Sequence, residues 1–201
     1  MDEGFFTSEE ARELLAASRS LGLRPKLHAD ELKGTGASEL AVELGAASAD
    51  HLDHISRAGV ERLAASDTIA VLLPGVSHFL RSAHDAPARA LVDAGAAVAL
   101  ATDFNPGTCL TVSMFEIMHL AAMRMGLTAE EALVASTRNA AFALGLGGKV
   151  GFLAPGRAPT SSCATCATPA TSRMPSGAPV AYVVCGGRVV RRPSAARPTF
   201  L

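Results

Sequence analysis

The sequence predicts an α/β fold built on a parallel sheet. Short apolar runs alternate with amphipathic segments of about ten residues, the pattern of consecutive β–α–β units. Several of the apolar runs end in residues that bind metals or move protons, as expected where the loops of such a sheet gather. A chain of 201 residues with 49% hydrophobic content can also bury a sizeable core.

The predicted helices and strands follow one another along the first 145 residues. Ser8 as a cap and two acids in the first turn predict a helix over 8–20 that stops at Gly22. The apolar runs predict four strands, over 23–29, 50–55, 68–73 and 97–102. Amphipathic spacing predicts further helices over 37–47, 57–66, 86–95, 111–125 and 128–145, the last with its N-terminus at Thr128.

The pattern changes after Gly145. Residues 147–157 resemble a strand and a turn, and residues 181–190 resemble a hairpin. The stretch 158–180 is rich in Ser, Thr, Ala and Pro without hydrophobic periodicity, so we expect it to be irregular or disordered. The tail 191–201 leads to the same expectation.

Composition excludes several classes of function. The net charge is −1 with no cluster of Lys and Arg, so we expect no nucleic-acid partner. No apolar run approaches the roughly 18 residues of a membrane span, and the first residues lack the features of a signal peptide, so we expect no membrane partner and a cytoplasmic location. The four cysteines are too scattered for a disulfide framework and are expected to be thiols.

Three predicted strand ends carry the residues of a candidate site. Asp103 follows the apolar run of VALATDFNPGT at 98–108, where the next residues force a turn. His28 and Glu31 leave a second strand together in LRPKLHADE. His51 lies in DHLDH at the third. Taken alone, Asp103 is equally typical of a helix or turn cap, and His51 or the neighbouring His54 of a structural histidine.

These residue types suit a metal-dependent hydrolysis. An imidazole nitrogen from His28 and a carboxylate oxygen from Asp103 are ligands that fit one divalent metal, zinc or iron. Asp103 would also accept a proton from water, Glu31 would carry a proton to a leaving nitrogen, and His51 would stabilise the water or the oxyanion. The amides and hydroxyl of the turn suit a polar small-molecule substrate, although a simple tight turn uses the same residues, namely Asn105, Gly107 and Thr108.

The motifs LRPKLHADEL, ADHLDHIS and VALATDFNPGTC, in this order and spacing, resemble those of the imidazolonepropionase family of metal-dependent amidohydrolases. The resemblance covers roughly residues 2–157. It implies a (β/α)8 barrel with a small β-sandwich. It also implies hydrolysis of 4-imidazolone-5-propanoate to N-formimino-L-glutamate in histidine degradation.

The resemblance also implies roles for individual residues. His28 and Asp103 match metal ligands, and Glu31 matches a residue that binds substrate and transfers protons. His51 matches the histidine near the attacking water. The matched substrate contacts are Asn105, Gly107 and Thr108.

The chain departs from the family pattern in its strand count and in its ligands. A (β/α)8 barrel needs eight strands and about 250 residues, whereas four strands are predicted here. The His-x-His pair that supplies two further metal ligands in the family has no counterpart before His28. We therefore interpret residues 1–146 as the second half of a barrel and 147–190 as a remnant of the β-sandwich. Such a carboxyl-terminal portion is expected to associate with a missing half, or with another copy to form a homo-oligomer.

Alternatives remain open at this point. Residues 159–179 lose the β pattern between two family-like stretches, and we hypothesise that they are translated out of frame. Other amidohydrolases, such as purine-type deaminases, share a His-x-x-Glu followed by a strand-end Asp, although the FNPGT loop argues against them. A truncated, noncatalytic chain is the alternative from a different class.

Overall fold

The central element is a four-stranded parallel sheet. The computed structural model describes residues 1–2, 4–164 and 180–191. The strands pair in chain order, and each neighbouring pair is parallel, as the alternation of apolar runs and helices predicts. They are β1 (Lys26–Ala29), β2 (Ser48–His51), β3 (Ile69–Leu72) and β4 (Val98–Leu100). The predicted α/β fold with a parallel sheet is thereby confirmed.

Helices precede, connect and follow these strands. They are α1 (Ser8–Ser20), α2 (Ala37–Glu43), α3 (Arg57–Ala64), α4 (Pro74–Phe79), α5 (Ala88–Asp93), α6 (Met114–Arg124), α7 (Ala129–Val134) and α8 (Ala140–Ala143). Capping boxes begin two of them, because Thr7 and Thr128 each exchange hydrogen bonds with a glutamate three residues on. The cap of α1 is thus Thr7, one residue before the predicted Ser8.

Two helical segments differ from the prediction. The helix α4 was not predicted, because the Pro-Gly pair at its start is typical of a turn. Proline at the first helical position is nevertheless compatible with a helix. The predicted helix over 128–145 is interrupted between α7 and α8 by a π-helical turn, Ala135–Asn139. Asn139, at the end of that turn, donates from Nδ2 to the carbonyl of Val98 at 2.7 Å and so fixes the turn against β4.

The carboxyl-terminal part contains a small antiparallel sheet of β5 (Ser161–Ala164), β6 (Val180–Cys185) and β7 (Arg188–Arg191). The predicted hairpin is present, with its turn at Gly186 and Gly187. The prediction of irregular structure over 158–180 is wrong at β5, since pairing with β6 supplies the backbone hydrogen bonds that side-chain periodicity did not indicate. Residues 165–179 and 192–201 lie outside the described residues. Residues 147–157 form turns and bends rather than the predicted strand.

The sheet separates two apolar clusters. Side chains of one face, such as Leu27, Leu72 and Leu100, join the helices in the larger cluster. The alternate residues of β3 and β4, including Ile69 and Ala99, belong to a smaller cluster with Ala143 of α8. No helix within the described residues has the length and apolar content needed to cross a membrane.

Replacing Leu72 by Ala should destabilise the protein strongly. Its side chain is fully buried at 0% exposure, so truncation removes apolar contacts and leaves a cavity. We expect a loss of about 3 kcal/mol in the free energy of unfolding, measured by urea denaturation. The matched variant Leu133→Ala, at a position 47% exposed, should change it by less than about 1 kcal/mol. Equal losses in the two variants would contradict this account of the core.

Candidate metal centre at the strand ends

Side chains from three strand ends converge at the carboxyl edge of the parallel sheet. His28 lies in β1, His51 ends β2, and Asp103 follows β4. The rings of the two histidines lie 4.2 Å apart between centroids, and Asp103 Oδ2 lies 3.9 Å from His51 Nε2. Because parallel strands all end at the same edge, the order of the strands is sufficient to explain this convergence.

His28 and Glu31 form a close ion pair. His28 Nε2 lies 2.9 Å from Glu31 Oε2. This hydrogen bond raises the pKa of His28 and lowers the pKa of Glu31. Glu31 is therefore ionised at neutral pH, as a group that accepts protons must be.

His51 is the most buried member of the centre. Its side chain is 6% exposed, and its Nδ1 atom has no hydrogen-bond partner. Nδ1 lies 3.7 Å from Glu31 Oε1, beyond hydrogen-bond distance. Burial lowers the pKa of His51, so the ring is neutral near pH 7 and offers a lone pair.

The donor set fits a divalent cation. Ligand atoms of His28, Glu31 and His51 all lie within 4.8 Å of one another, and the unpartnered nitrogen of His51 is directed into this group. Asp103 lies outside the group, beside His51, and its side chain is 41% exposed. The two predicted ligands, His28 and Asp103, thus each lie beside His51.

The turn after Asp103 is held by the side chain of Asn105. Its Oδ1 accepts from the amides of Gly107 at 2.9 Å and Thr108 at 2.7 Å. Its Nδ2 donates to the carbonyl of Asp103 at 2.8 Å and to Thr108 Oγ1 at 2.7 Å. These bonds use the full donor and acceptor capacity of the amide group. Asn105, predicted as a substrate contact, is therefore occupied within its own loop.

Asp30, between His28 and Glu31, holds the backbone around the centre, and sequence reasoning missed it. Its side chain is buried, and its carboxylate accepts hydrogen bonds from three backbone amides and two hydroxyls at the start of α2, those of Thr35, Ala37 and Ser38. Its carbonyl oxygen accepts from the amide of His54 at 2.8 Å. The available signal was its place before Glu31 in the HADE motif.

Two further acids near the centre were also missed. Asp2 contacts both His28 and the backbone of residues 31–33. Asp53, two residues after His51, accepts a hydrogen bond from Ser77 Oγ at 2.6 Å, and burial raises its pKa to about 6. Neither acid stands in a local pattern that points to a site.

Within the described residues, His54, His78 and His84 make ring contacts outside the group of close ligand atoms. The rings of His54 and His84 pack against each other with centroids 4.7 Å apart. His78 packs edge-on against Phe79. Cys109 is a buried free thiol and Cys185 an exposed one, in line with the prediction of thiols at these two positions.

A family model and individual related proteins both match the sequence, and they indicate the same family. The model described as "Amidohydrolase family" matches residues 4–190. The chain is 50% identical over 156 residues to an imidazolonepropionase of Geobacillus sp. (strain WCH70), covering 78% of the chain and 37% of that protein. It is 51% identical over 156 residues to an imidazolonepropionase of Rubrobacter xylanophilus, again covering 78% of the chain and 37% of that protein. The chain thus spans 37% of the length of these relatives.

Comparison of the structure points to the same fold. An adenosine deaminase from Xanthomonas campestris with bound zinc aligns with a TM-score of 0.75 and 20% identity, over 91% of this chain and 48% of that one. Ochratoxinase of A. niger aligns with a TM-score of 0.74 and 20% identity, over 98% of this chain and 49% of that one. At this level of identity the likeness concerns the fold alone.

The pKa of Asp53 predicts a specific pH dependence. The carboxyl group of Asp53 binds its proton more tightly in the folded protein than in the unfolded chain, where its pKa is near 3.8. The free energy of unfolding therefore falls as pH rises from about 4 to above 6. Asp53→Asn removes this contribution. Between pH 4 and pH 7 the variant should gain up to about 3 kcal/mol relative to the wild type, measured by urea denaturation in EDTA. Parallel pH profiles of the two proteins would contradict the assignment.

Replacing Asn105 should loosen the turn that carries Asp103. Asn105→Ala removes all four hydrogen bonds, and we expect a loss of about 2 kcal/mol in stability and faster hydrogen exchange at the amides of Gly107 and Thr108. Asn105→Asp is the matched control, because it retains the acceptor for both amides. NMR-detected exchange should show protection retained in Asn105→Asp and lost in Asn105→Ala. Unchanged protection in Asn105→Ala would show that other contacts hold the turn.

Proposed function

Because the chain belongs to the amidohydrolase family, whose model matches residues 4–190, we propose that its site serves the metal-dependent hydrolysis of a cyclic amide bond. The proposed substrate is 4-imidazolone-5-propanoate, converted to N-formimino-L-glutamate in cytoplasmic histidine degradation. Identities of 50% and 47% to curated imidazolonepropionases over 156 residues support this choice. The observation that carries the proposal is the convergence of chemically suitable side chains at one sheet edge, those of His28, Glu31, His51 and Asp103.

We propose one divalent metal ion, zinc or iron, at this edge. His28 and Asp103 are its proposed ligands by resemblance, and the geometry adds Glu31 and His51 as donors within reach. A metal ion held there would polarise the substrate carbonyl and make a water molecule more acidic. The neutral nitrogen of His51 and the carboxylates supply the donor types that zinc and iron accept.

The chain's own residues would move the protons. Glu31, ionised through its contact with His28, would receive a proton by way of Asp103 and pass it to the leaving ring nitrogen. His51, held neutral by burial, would donate a hydrogen bond from its ring N–H to the developing oxyanion. Asp103 would take the first proton from the water.

Substrate contacts are proposed in the turn after Asp103. Both amides and the acceptor oxygen of the Thr108 hydroxyl are used within the turn, so Gly107 and Thr108 would bind the polar substrate through their carbonyl oxygens and the hydroxyl proton of Thr108. Asn105 would act chiefly by keeping this turn in shape, because any bond to the substrate would replace a bond within the loop.

The proposed enzyme needs more strands than the four parallel strands of this sheet. A (β/α)8 barrel has eight strands, and the chain spans 37% of the length of its curated relatives. We propose that the sheet is the second half of such a barrel and that the antiparallel sheet is part of a small β-sandwich. Further metal ligands would then come from outside these strands, in the same protein or in a second copy.

Loss of a proposed ligand should abolish both metal binding and turnover. We expect His28→Ala and Asp103→Asn each to lower kcat/KM for 4-imidazolone-5-propanoate at least about 100-fold, because the carbonyl would no longer be polarised. The metal content of His28→Ala, measured by mass spectrometry, should fall well below that of the wild type. The control His78→Ala alters an exposed histidine of α4 and should leave both quantities unchanged.

The substrate assay also tests the choice of reaction. Turnover of adenosine or guanine without turnover of 4-imidazolone-5-propanoate would overturn the proposed substrate. Full metal content in His28→Ala would overturn the proposed metal centre.

A further inference from the structure

The carboxylate of Asp2 contacts both members of the His28–Glu31 pair. Its side chain is 2% exposed. Oδ2 lies 3.1 Å from His28 Nε2 and also accepts from the amide of Glu31 at 3.2 Å. Oδ1 accepts from the amides of Leu32 and Lys33, both at 3.1 Å.

We propose that Asp2 is a positioning residue of the metal centre. It fixes the turn that carries Glu31 and holds the imidazole of His28, and so sets the distance between these two side chains. The proposal rests on the metal-dependent function proposed above, and it assigns to Asp2 a role that neither the motifs nor the ligand group contains.

The turn needs such a partner because residues 31–33 belong to no helix or strand. Three consecutive amides that point to one carboxyl group form a concave site, and the three hydrogen bonds to Asp2 hold the turn together. The direction of the Glu31 side chain is therefore set by where Asp2 lies.

Asp2 is itself held in place by its neighbour. The carbonyl of Met1 accepts a hydrogen bond from Thr35 Oγ1 at 3.2 Å, and Thr35 also bonds to the buried carboxylate of Asp30. The positions of Asp2 and Asp30 are thus linked through one threonine. The carboxylate of Asp2 binds the amides of residues 31–33, and that of Asp30 binds the amides of residues 35, 37 and 38, so the backbone that begins at Glu31 is held along its length.

The contact with His28 distinguishes this role from simple loop stabilisation. Asp2 lies outside the group of mutually close ligand atoms formed by His28, Glu31 and His51, so it acts through these residues. Carboxylates that orient a metal-binding histidine typically contribute 10–100-fold to metal affinity or activity. Loss of Asp2 is expected to fall in that range.

The test uses the full chain with Asp2→Ala, Asp2→Asn and the control Asp67→Asn, which removes an exposed carboxylate before β3. In Asp2→Ala we expect the affinity for Co²⁺, followed by visible absorption, to fall about 10–100-fold. Hydrogen exchange at the amides of residues 31–33 should become at least about tenfold faster, whereas the amides of β3 should keep their protection. Asp2→Asn retains an acceptor for the amides and serves if Asp2→Ala does not fold. Asp67→Asn should match the wild type in both measurements.

A double-mutant cycle separates positioning from a general structural effect. If Asp2 acts through Glu31, the loss of Co²⁺ affinity caused by Asp2→Asn should be at least about threefold smaller in a Glu31→Gln background. Equal losses in the two backgrounds would overturn the positioning role, as would wild-type protection of residues 31–33 in Asp2→Ala.

The outcome remains decisive if the wild-type chain binds no Co²⁺. That result would count against the proposed metal-dependent function of this chain. The positioning role would then be decided by amide exchange and by the distance between His28 Nε2 and Glu31 Oε2 in a crystal structure of Asp2→Asn. An unchanged distance with unchanged exchange would overturn it.

Discussion

The geometry of the centre depends on the hydrogen bonds of the buried Asp30. Its carboxylate binds the start of α2, and its carbonyl oxygen binds the amide of His54 in the segment after β2. One residue therefore ties the end of β1 to the loop that follows the neighbouring strand. Because His28 and Glu31 flank Asp30 in sequence, and His51 precedes the segment that it binds, this network determines how the two histidines face each other. Burying the carboxyl group of Asp30 is favourable here only because five hydrogen bonds replace its hydration.

The same edge of the sheet accommodates unfavourable backbone conformations. Asp30, His51 and Asp103 all have positive φ angles, of 53°, 80° and 47°. Non-glycine residues in this region cost on the order of 1 kcal/mol each, and such residues cluster at functional sites. A residue with positive φ ends the alternation of side chains between the two faces of the strand. The side chains that follow then turn back across the edge of the sheet instead of continuing away from it. At Asp30 this reversal brings Glu31 onto His28, and at Asp103 the strain is held by the bonds of Asn105.

The sequence predicted those features that depend on neighbouring residues, and it did not predict those that depend on contacts between distant residues. Alternation of apolar runs with helices is a local pattern, and it predicted every strand of the parallel sheet and the residues at the strand ends. The interruption of the helix over 128–145 was not predicted, because the residues of the π-helical turn, ASTRN, include no Gly or Pro that would mark a break. The role of Asn105 was open to two interpretations, since the same side chain closes a turn or binds a ligand. Asp2 carried no signal at all, because its contacts join residues 26 to 31 positions apart.

The carboxylates around His28 would favour a cation over a neutral ligand at this edge. Carboxylate oxygens of Glu31 and Asp2 lie 2.9 and 3.1 Å from Nε2, and the bond to Glu31 raises the pKa of the ring. A raised pKa means that the surroundings stabilise positive charge on the ring of His28. A proton is the smallest group that supplies this charge. A divalent ion supplies more charge but binds only a ring nitrogen that carries no proton, so protonation of His28 and metal binding oppose each other. Metal affinity should consequently increase with pH until His28 is fully deprotonated. His51 adds nothing to this dependence near neutrality, because burial already keeps its ring uncharged.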